Sequence, residues 1–295
     1  MRILLAIDHS PASQAAACEV ASRPWPSDTT VEVLSTVESP HSWALGEVLE
    51  DLTRLTQDLV QRATTELRAA GLPATANVMR GDPKSVIVDR ASAIGADLIV
   101  LGSHGTGGVT QFLLGSVARA VVRHAHCSTE VVRLTAGGRG PRGMKLLLAT
   151  DGSPSSTQAA RSIAARPWPP GTEVEIFTVV ELALTDFQAA FEPPLFDAET
   201  KEKIREEAMR HAQEAIREAA EVLSGSGLKT SDSLSVLTGS PKQLILEEAK
   251  NFGADLIVAG SHGRQGVERF MLGSVSEAVA AHAECSVEVI RGLQA

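Results

Sequence analysis

Residues 96–116 read ADLIVLGSHGTGGVTQFLLGS and are followed at 117–125 by VARAVVRHA. ADLIVL is a continuous apolar run of strand length, as in a strand buried on both faces, and VARAVVRHA has the composition and length of a helix. Between them stand Gly102 and Gly105, then nine residues, then Gly115 and Ser116. A glycine-rich turn from strand to helix lets backbone approach a ligand, and a helix start offers unpaired N–H groups that favour an anion. Taken singly, such glycines are better explained as relief of crowding in a tight turn. The series recurs at 254–274, ADLIVAGSHGRQGVERFMLGS, with Gly260, Gly263, Gly273 and Ser274 at the same spacing. Two copies point to two phosphate cradles.

The repeat extends in both directions. RILLAI ends in Asp8 and LLLAT in Asp151, and both continue into Ser-Pro, with Ser10 and Ser153 as N-caps and Pro11 and Pro154 at the first helical position. The tetrapeptide RPWP follows at 23–26 and again at 166–169, which marks duplication. The second strands, VEVLSTVE and VEIFTVVE, are rich in β-branched residues. A long amphipathic helix comes next in each half, with Leu52, Leu55, Leu59, Ala63 and Leu67 in the first and Ala208, Ala212, Ile216, Ala219 and Leu223 in the second. Only the second half carries an insert, 182–200, which reads as a lid, a partner contact or a plain surface loop. The halves realign at Gly81-Asp82-Pro83-Lys84 and Gly239-Ser240-Pro241-Lys242, and end in STEVVRL and SVEVIRG.

Each half therefore reads β-α-β-α-β-α-β-α-β. The expected fold class is α/β, two tandem doubly wound, Rossmann-like domains, each a five-stranded parallel sheet with helices on both faces. We place the first domain at 1–134, a glycine-rich linker at 135–143 and the second domain at 144–295. In such sheets ligands bind beyond the carboxyl ends of the strands, where strand order reverses, and Asp8, the turn at Gly81 and the glycine series all lie at such ends. The final strands, with weaker apolar continuity, are expected at sheet edges and should pair half with half.

The formal net charge of −9, without a dense Lys/Arg run, argues against a nucleic-acid or anionic-membrane surface. No apolar run reaches membrane-spanning length and MRILLAID does not suit a signal peptide, so a cytoplasmic protein is expected. Three cysteines make no disulfide framework. HAHC at 124–127 suggests a metal site, but its counterpart HAEC at 282–285 loses a histidine, and closed zinc sites want four ligands. No metal ligand is assigned.

These motifs resemble the universal stress protein family in its tandem form, over nearly all of both halves. Its ATP-binding members carry Gly-x-x-Gly, nine residues, Gly-Ser/Thr, complete here in Gly102, Gly105, Gly115, Ser116 and in Gly260, Gly263, Gly273, Ser274. The resemblance implies ATP at each site, with Asp8 and Asp151 near the adenosine, and Val37 and Val180 where the base is held. It also implies an internal pseudo-dimer joined through the last strands, and leaves open a homodimer of whole chains. Cys127 and Cys285 then match a structural His-x-x-Cys. His9 stands where the second half has Gly152, a departure expected to crowd the first pocket.

On physical grounds Gly102 and Gly105 would remove Cβ atoms beside a nucleotide, and the Gly115 and Ser116 N–H groups would face phosphates. The Ser116 and Ser274 hydroxyls are N-caps or contacts to phosphate and its Mg²⁺, and Asp8 and Asp151 accept from ribose or cap the following turn. Arg264, with Arg269, adds positive charge near the second cradle alone, so the second site is expected to bind triphosphate more tightly. His104 and His262 lack a matched nucleophile, and no catalytic residue is assigned. The expected function is a nucleotide-dependent binding module in stress response. The alternatives are a slow ATPase or nucleotidyl-transfer enzyme, and a nucleotide-free scaffold; neither GxxxxGK[ST] nor a first-strand GxGxxG is present.

Overall fold

The computed structural model describes residues 1–38, 46–105, 114–134, 143–180, 197–235, 240–263 and 272–292. The first half runs β1 (Arg2–Ala6), α1 (Pro11–Ser22), β2 (Thr30–Val37), α2 (Gly46–Ala69), β3 (Ala74–Arg80), α3 (Pro83–Ile94), β4 (Leu98–Gly102), α4 (Ser116–His124) and β5 (Ser128–Val132). The second repeats it as β6 (Lys145–Ala149), α5 (Pro154–Ala164), β7 (Glu173–Val179), α6 (Ala198–Leu223), β8 (Lys229–Ser235), α7 (Pro241–Phe252), β9 (Leu256–Gly260), α8 (Ser274–His282) and β10 (Ser286–Ile290). The expected β/α alternation is present in both. The insert ends earlier than its sequence suggested, because Asp197 caps α6 by accepting from Thr200 N–H; the rest of it, 182–196, lies outside the described residues, as does 135–142 of the linker.

Local chemistry sets the helix limits. Ser10 and Ser153 accept from the N–H groups of Ser13 and Ser156, and Asp82 accepts from Lys84 N–H, each just before a proline at the first helical position. Gly95 and Gly253 end α3 and α7 in the left-handed region, at φ 59° and 71°.

The ten strands of the described residues form one sheet in the order β3-β2-β1-β4-β5-β10-β9-β6-β7-β8. Pairing is parallel within each half, and strand order reverses between β1 and β4 and between β6 and β9. The halves join where β5 meets β10 antiparallel, with Glu130 opposite Glu288. The expected pairing through the final strands is thus observed.

The two faces of the sheet are packed differently. Beneath α3, α4, α7 and α8 one apolar cluster runs through both halves, taking in Leu4, Ile99, Val131, Ile257 and Val287 together with Cys127 and Cys285. On the other face α1 and α2 cover one cluster, and α5 and α6 cover another. Strand alternation sends Glu130 and Glu288 into the seam between these two. There Arg23 donates to both Glu130 oxygens at 3.2 and 2.7 Å, and Arg166 donates to Glu288 at 2.8 Å. Arg23 lies 4.2 Å from the ring centre of Trp25 and 5.3 Å from that of Trp168. The duplicated RPWP is therefore a clasp across the seam, a role the sequence reading did not assign.

Candidate functional site

The carboxyl end of β1 is shaped by Asp8. Its Oδ1 accepts from Ser10 N–H at 3.0 Å and from the Ser13 hydroxyl at 2.6 Å, so one oxygen is committed to the turn. Its Oδ2 faces the loop after β4, where a Cβ on Gly105 would come within 2.8 Å of it. Gly105 is glycine because the carboxylate occupies that space. In the second half Ser153 N–H donates to Asp151 at 3.0 Å, and a Cβ on Gly263 would meet Asp151 Oδ2 at 2.9 Å. The Ser10 hydroxyl donates onward to His104 O at 3.0 Å, and that of Ser153 to His262 O at 3.2 Å. Each helix cap thus ties the turn after the first strand to the glycine loop after the fourth.

Two assigned roles change. A Cβ on Gly102 would lie 2.6 Å from Ala12 C and 2.8 Å from Ser13 N, and one on Gly260 2.5 Å from Ser155 C. These glycines let α1 and α5 press on the strand ends; they do not clear a path for a ligand. The Gly115 N–H donates to Ser103 O at 2.8 Å and the Gly273 N–H to Ser261 O at 2.7 Å, so neither is available to a phosphate. Among the described residues, what remains available is the first turn itself. α4 and α8 begin after Gly115 and Gly273, which provide no side-chain cap; α1, α3, α5 and α6 each have one, while α7 begins after Ser240 without a side-chain cap bond. Uncapped first-turn N–H groups at the positive end of a helix form an anion site. Ser116 and Ser274 open those turns with exposed side chains.

A cavity of about 1090 Å³ lies over the first of these turns, at the reversal of strand order. Asp8, Val37, Gly102, Gly105, Gly115 and Ser116 all line it, so the structure brings together every residue assigned to the first site. His9 lines it too, exposed and without the left-handed backbone that Gly152 adopts at φ 75°. The cavity stays open beside it. Leu52 and Leu55, expected within the core stripe of α2, are 41% and 53% exposed and form a cavity wall with Arg62. In the second half Val180 lines a cavity of about 650 Å³ with Lys203, Glu207 and His211 of α6, but Asp151, Gly260, Gly263 and Gly273 do not line it and Ser274 lines a separate cavity with Arg119 and Lys242, so the second set is not gathered around one cavity as the first is. Helical periodicity marks Leu52, Leu55, Ala208 and Ala212, which line these cavities, but does not separate core from cavity and does not mark Lys203, Glu207 or His211. Arg264 and Arg269 lie outside the described residues.

Beside the loop, Ser103 Oγ is 3.0 Å from His104 Nδ1 and Ser261 Oγ is 2.9 Å from His262 Nδ1, while both Nε2 atoms are buried without a partner among the described residues. Burial, reinforced by the nearby Arg133 guanidinium, lowers the His104 pKa. That shift favours the neutral imidazole, suited to shaping the loop.

The model of the Universal stress protein family matches residues 1–133 and again 144–291. A universal stress protein of Mycobacterium bovis is 32% identical over 212 residues, which cover 66% of this chain and 62% of the relative. Universal stress protein A homolog 2 of Coxiella burnetii is 52% identical over 62 residues, 21% of this chain and 42% of its own. Among solved structures, a universal stress protein from Archaeoglobus fulgidus superposes with a TM-score of 0.66 at 20% identity, covering 98% of this chain and 96% of that one. A Pseudomonas aeruginosa protein of unknown function gives a TM-score of 0.61 at 19% identity, covering 98% and 92%. These two show a shared fold.

Proposed function

The chain belongs to the universal stress protein family, and from that premise we propose that it is an ATP-binding module with one nucleotide site in each half. The observation that carries this reading is the pair of uncapped helix starts at Gly115 and Gly273, each set beside an aspartate whose carboxylate occupies the space a Cβ on the glycine loop would fill. Phosphates would take the first-turn N–H groups of α4 and α8, with the Ser116 and Ser274 hydroxyls beside them. Asp8 and Asp151 would accept from the ribose, and Val37 and Val180 would pack against the base. Mg²⁺ would be held mainly by the phosphates, since no described residue supplies a carboxylate cluster for it. We assign the domains to 1–134 and 144–295. Binding, with no fast chemistry, would set the conformation or the partners of a protein acting in stress response.

Calorimetric titration with ATP and magnesium tests this. The unaltered chain should bind two equivalents, and Gly115→Val or Gly273→Val should each remove one. A Cβ at Gly115 would already sit 3.1 Å from Ser103 O and 3.4 Å from His104 Cα, so a branched side chain displaces the loop. Its φ of −60° is ordinary, and space alone requires the glycine. Unchanged stoichiometry in a folded variant would reduce the motif to a turn.

A further inference from the structure

The residue after each final strand is an arginine, and both arginines reach into the opposite half. Arg133 donates through one guanidinium nitrogen to Ala280 O at 2.8 Å and Ala281 O at 3.0 Å, in the last turn of α8. Arg291 donates to Val122 O at 3.0 Å and Arg123 O at 3.1 Å, in the last turn of α4. The main chains cross in the same way, Arg133 N–H to Ser286 Oγ and Arg291 N–H to Ser128 Oγ, both at 3.2 Å. Arg133 is 5% exposed, so its bonds are sheltered from water.

The helices so held are the two that open on the candidate phosphate sites. Each has only 9 residues, and so spans about 13 Å from first-turn N–H groups to last-turn carbonyls. Those carbonyls are orphan acceptors at the negative end of the helix, and a cation there both fixes the helix and complements an anion at its other end. α4 carries Arg123 and His124 in its own last turn, whereas α8 carries only His282. The imported cation therefore matters more to α8.

We propose that Arg133 is a positioning residue for the second nucleotide site and Arg291 for the first, so that each site is held in place by the opposite half. The proposal rests on the nucleotide reading above. It predicts a crossed pattern that general weakening of the seam would not give.

The test uses the full chain and calorimetry with ATP and magnesium, with Gly115→Val as the background that reads the second site and Gly273→Val as the background that reads the first. Arg133→Met should raise Kd at the second site about three- to tenfold, and by a smaller factor at the first, where the guanidinium also lies near His104. Arg133→Lys, which keeps the charge, should recover most of the loss. Arg291→Met should show the mirror pattern with a smaller loss. Equal losses at both sites, a larger loss in the arginine's own half, or no loss would overturn the proposal. Should Arg133→Met fail to fold by circular dichroism, Arg133→Lys and Arg291→Met carry the same crossed comparison. If the background variants bind no nucleotide, the nucleotide reading falls and this inference with it; if they bind without the crossed pattern, only this inference falls.

Discussion

Replacing Gly102 by alanine separates a packing role from a ligand role. The added Cβ would sit 2.6 Å from Ala12 C, 2.8 Å from Ser13 N and 2.9 Å from Ala12 Cβ. Carbon contacts settle at about 3.5 to 4.0 Å, so strand and helix must part by roughly 1 Å. The receiving atoms are backbone at the start of α1, pinned by the Ser10 cap and by the bond from Ser13 to Asp8. Gly102 does not have a left-handed φ, so the cost is steric alone. Overpacking a core costs about 1 to 3 kcal/mol, and immovable backbone places this change near the upper end. For a chain of this size each kcal/mol moves Tm by about 2 to 4 °C, which gives a fall of roughly 6 to 12 °C. Gly260→Ala should behave alike, since its Cβ would meet Ser155 C at 2.5 Å and Ser156 N at 2.7 Å. Thermal melts followed by circular dichroism read the effect. A Tm within about 2 °C of the parent, with nucleotide binding lost, would refute this reasoning and return Gly102 to the ligand.

Arg23→Met takes the guanidinium from buried Glu130 and Glu19 and should lower stability by about 3 to 5 kcal/mol in urea unfolding, most of it recovered in Arg23→Met with Glu130→Leu; a loss under about 1 kcal/mol would contradict the clasp. Burial and the adjacent Glu248 push the Glu175 pKa up from 4.5 to about 6. Because the unfolded chain ionises first, stability is lost as pH rises from about 4.5 to 6 and stays lost above. Glu248→Arg, copying Arg90 beside Glu32 in the first half, should restore on the order of 1 kcal/mol at pH 7 and little at pH 4; equal gains at both would count against a protonation effect. Cys18 is exposed, whereas Cys127 and Cys285 are buried and burial raises the Cys127 pKa to about 11. A thiol reagent should therefore titrate one cysteine in the native protein and three after denaturation, and three fast thiols would contradict the packing.

Most of the fold was legible because each strand and helix carries its own signal. RILLAI and ADLIV lack polar interruptions, and Ser-Pro and Asp-Pro mark the helix starts at Ser10, Ser153 and Asp82. Duplication then supplied the site, since a spacing found twice is hard to attribute to turns alone. What sequence could not supply were relations between distant segments. Gly102 looked like a ligand glycine because its crowding partner, Ala12, lies far away in the chain. Leu52 and Leu55 share a helical period with the core, and only the placement of α2 shows that they face a cavity. The clasp did leave a trace: a glutamate in the middle of each apolar final strand, Glu130 and Glu288, needs a buried cation, and the arginine of each RPWP is that cation. Arg133 and Arg291 left none, because the carbonyls they hold belong to the other half.

The most direct test of the nucleotide account is to denature the chain, purified without added ligand, and resolve the released small molecules by anion exchange, followed by titration of the emptied protein with ATP and magnesium. The account predicts released adenine nucleotide or, from empty protein, saturable binding of two equivalents per chain. No released nucleotide together with no binding at millimolar ATP would contradict it.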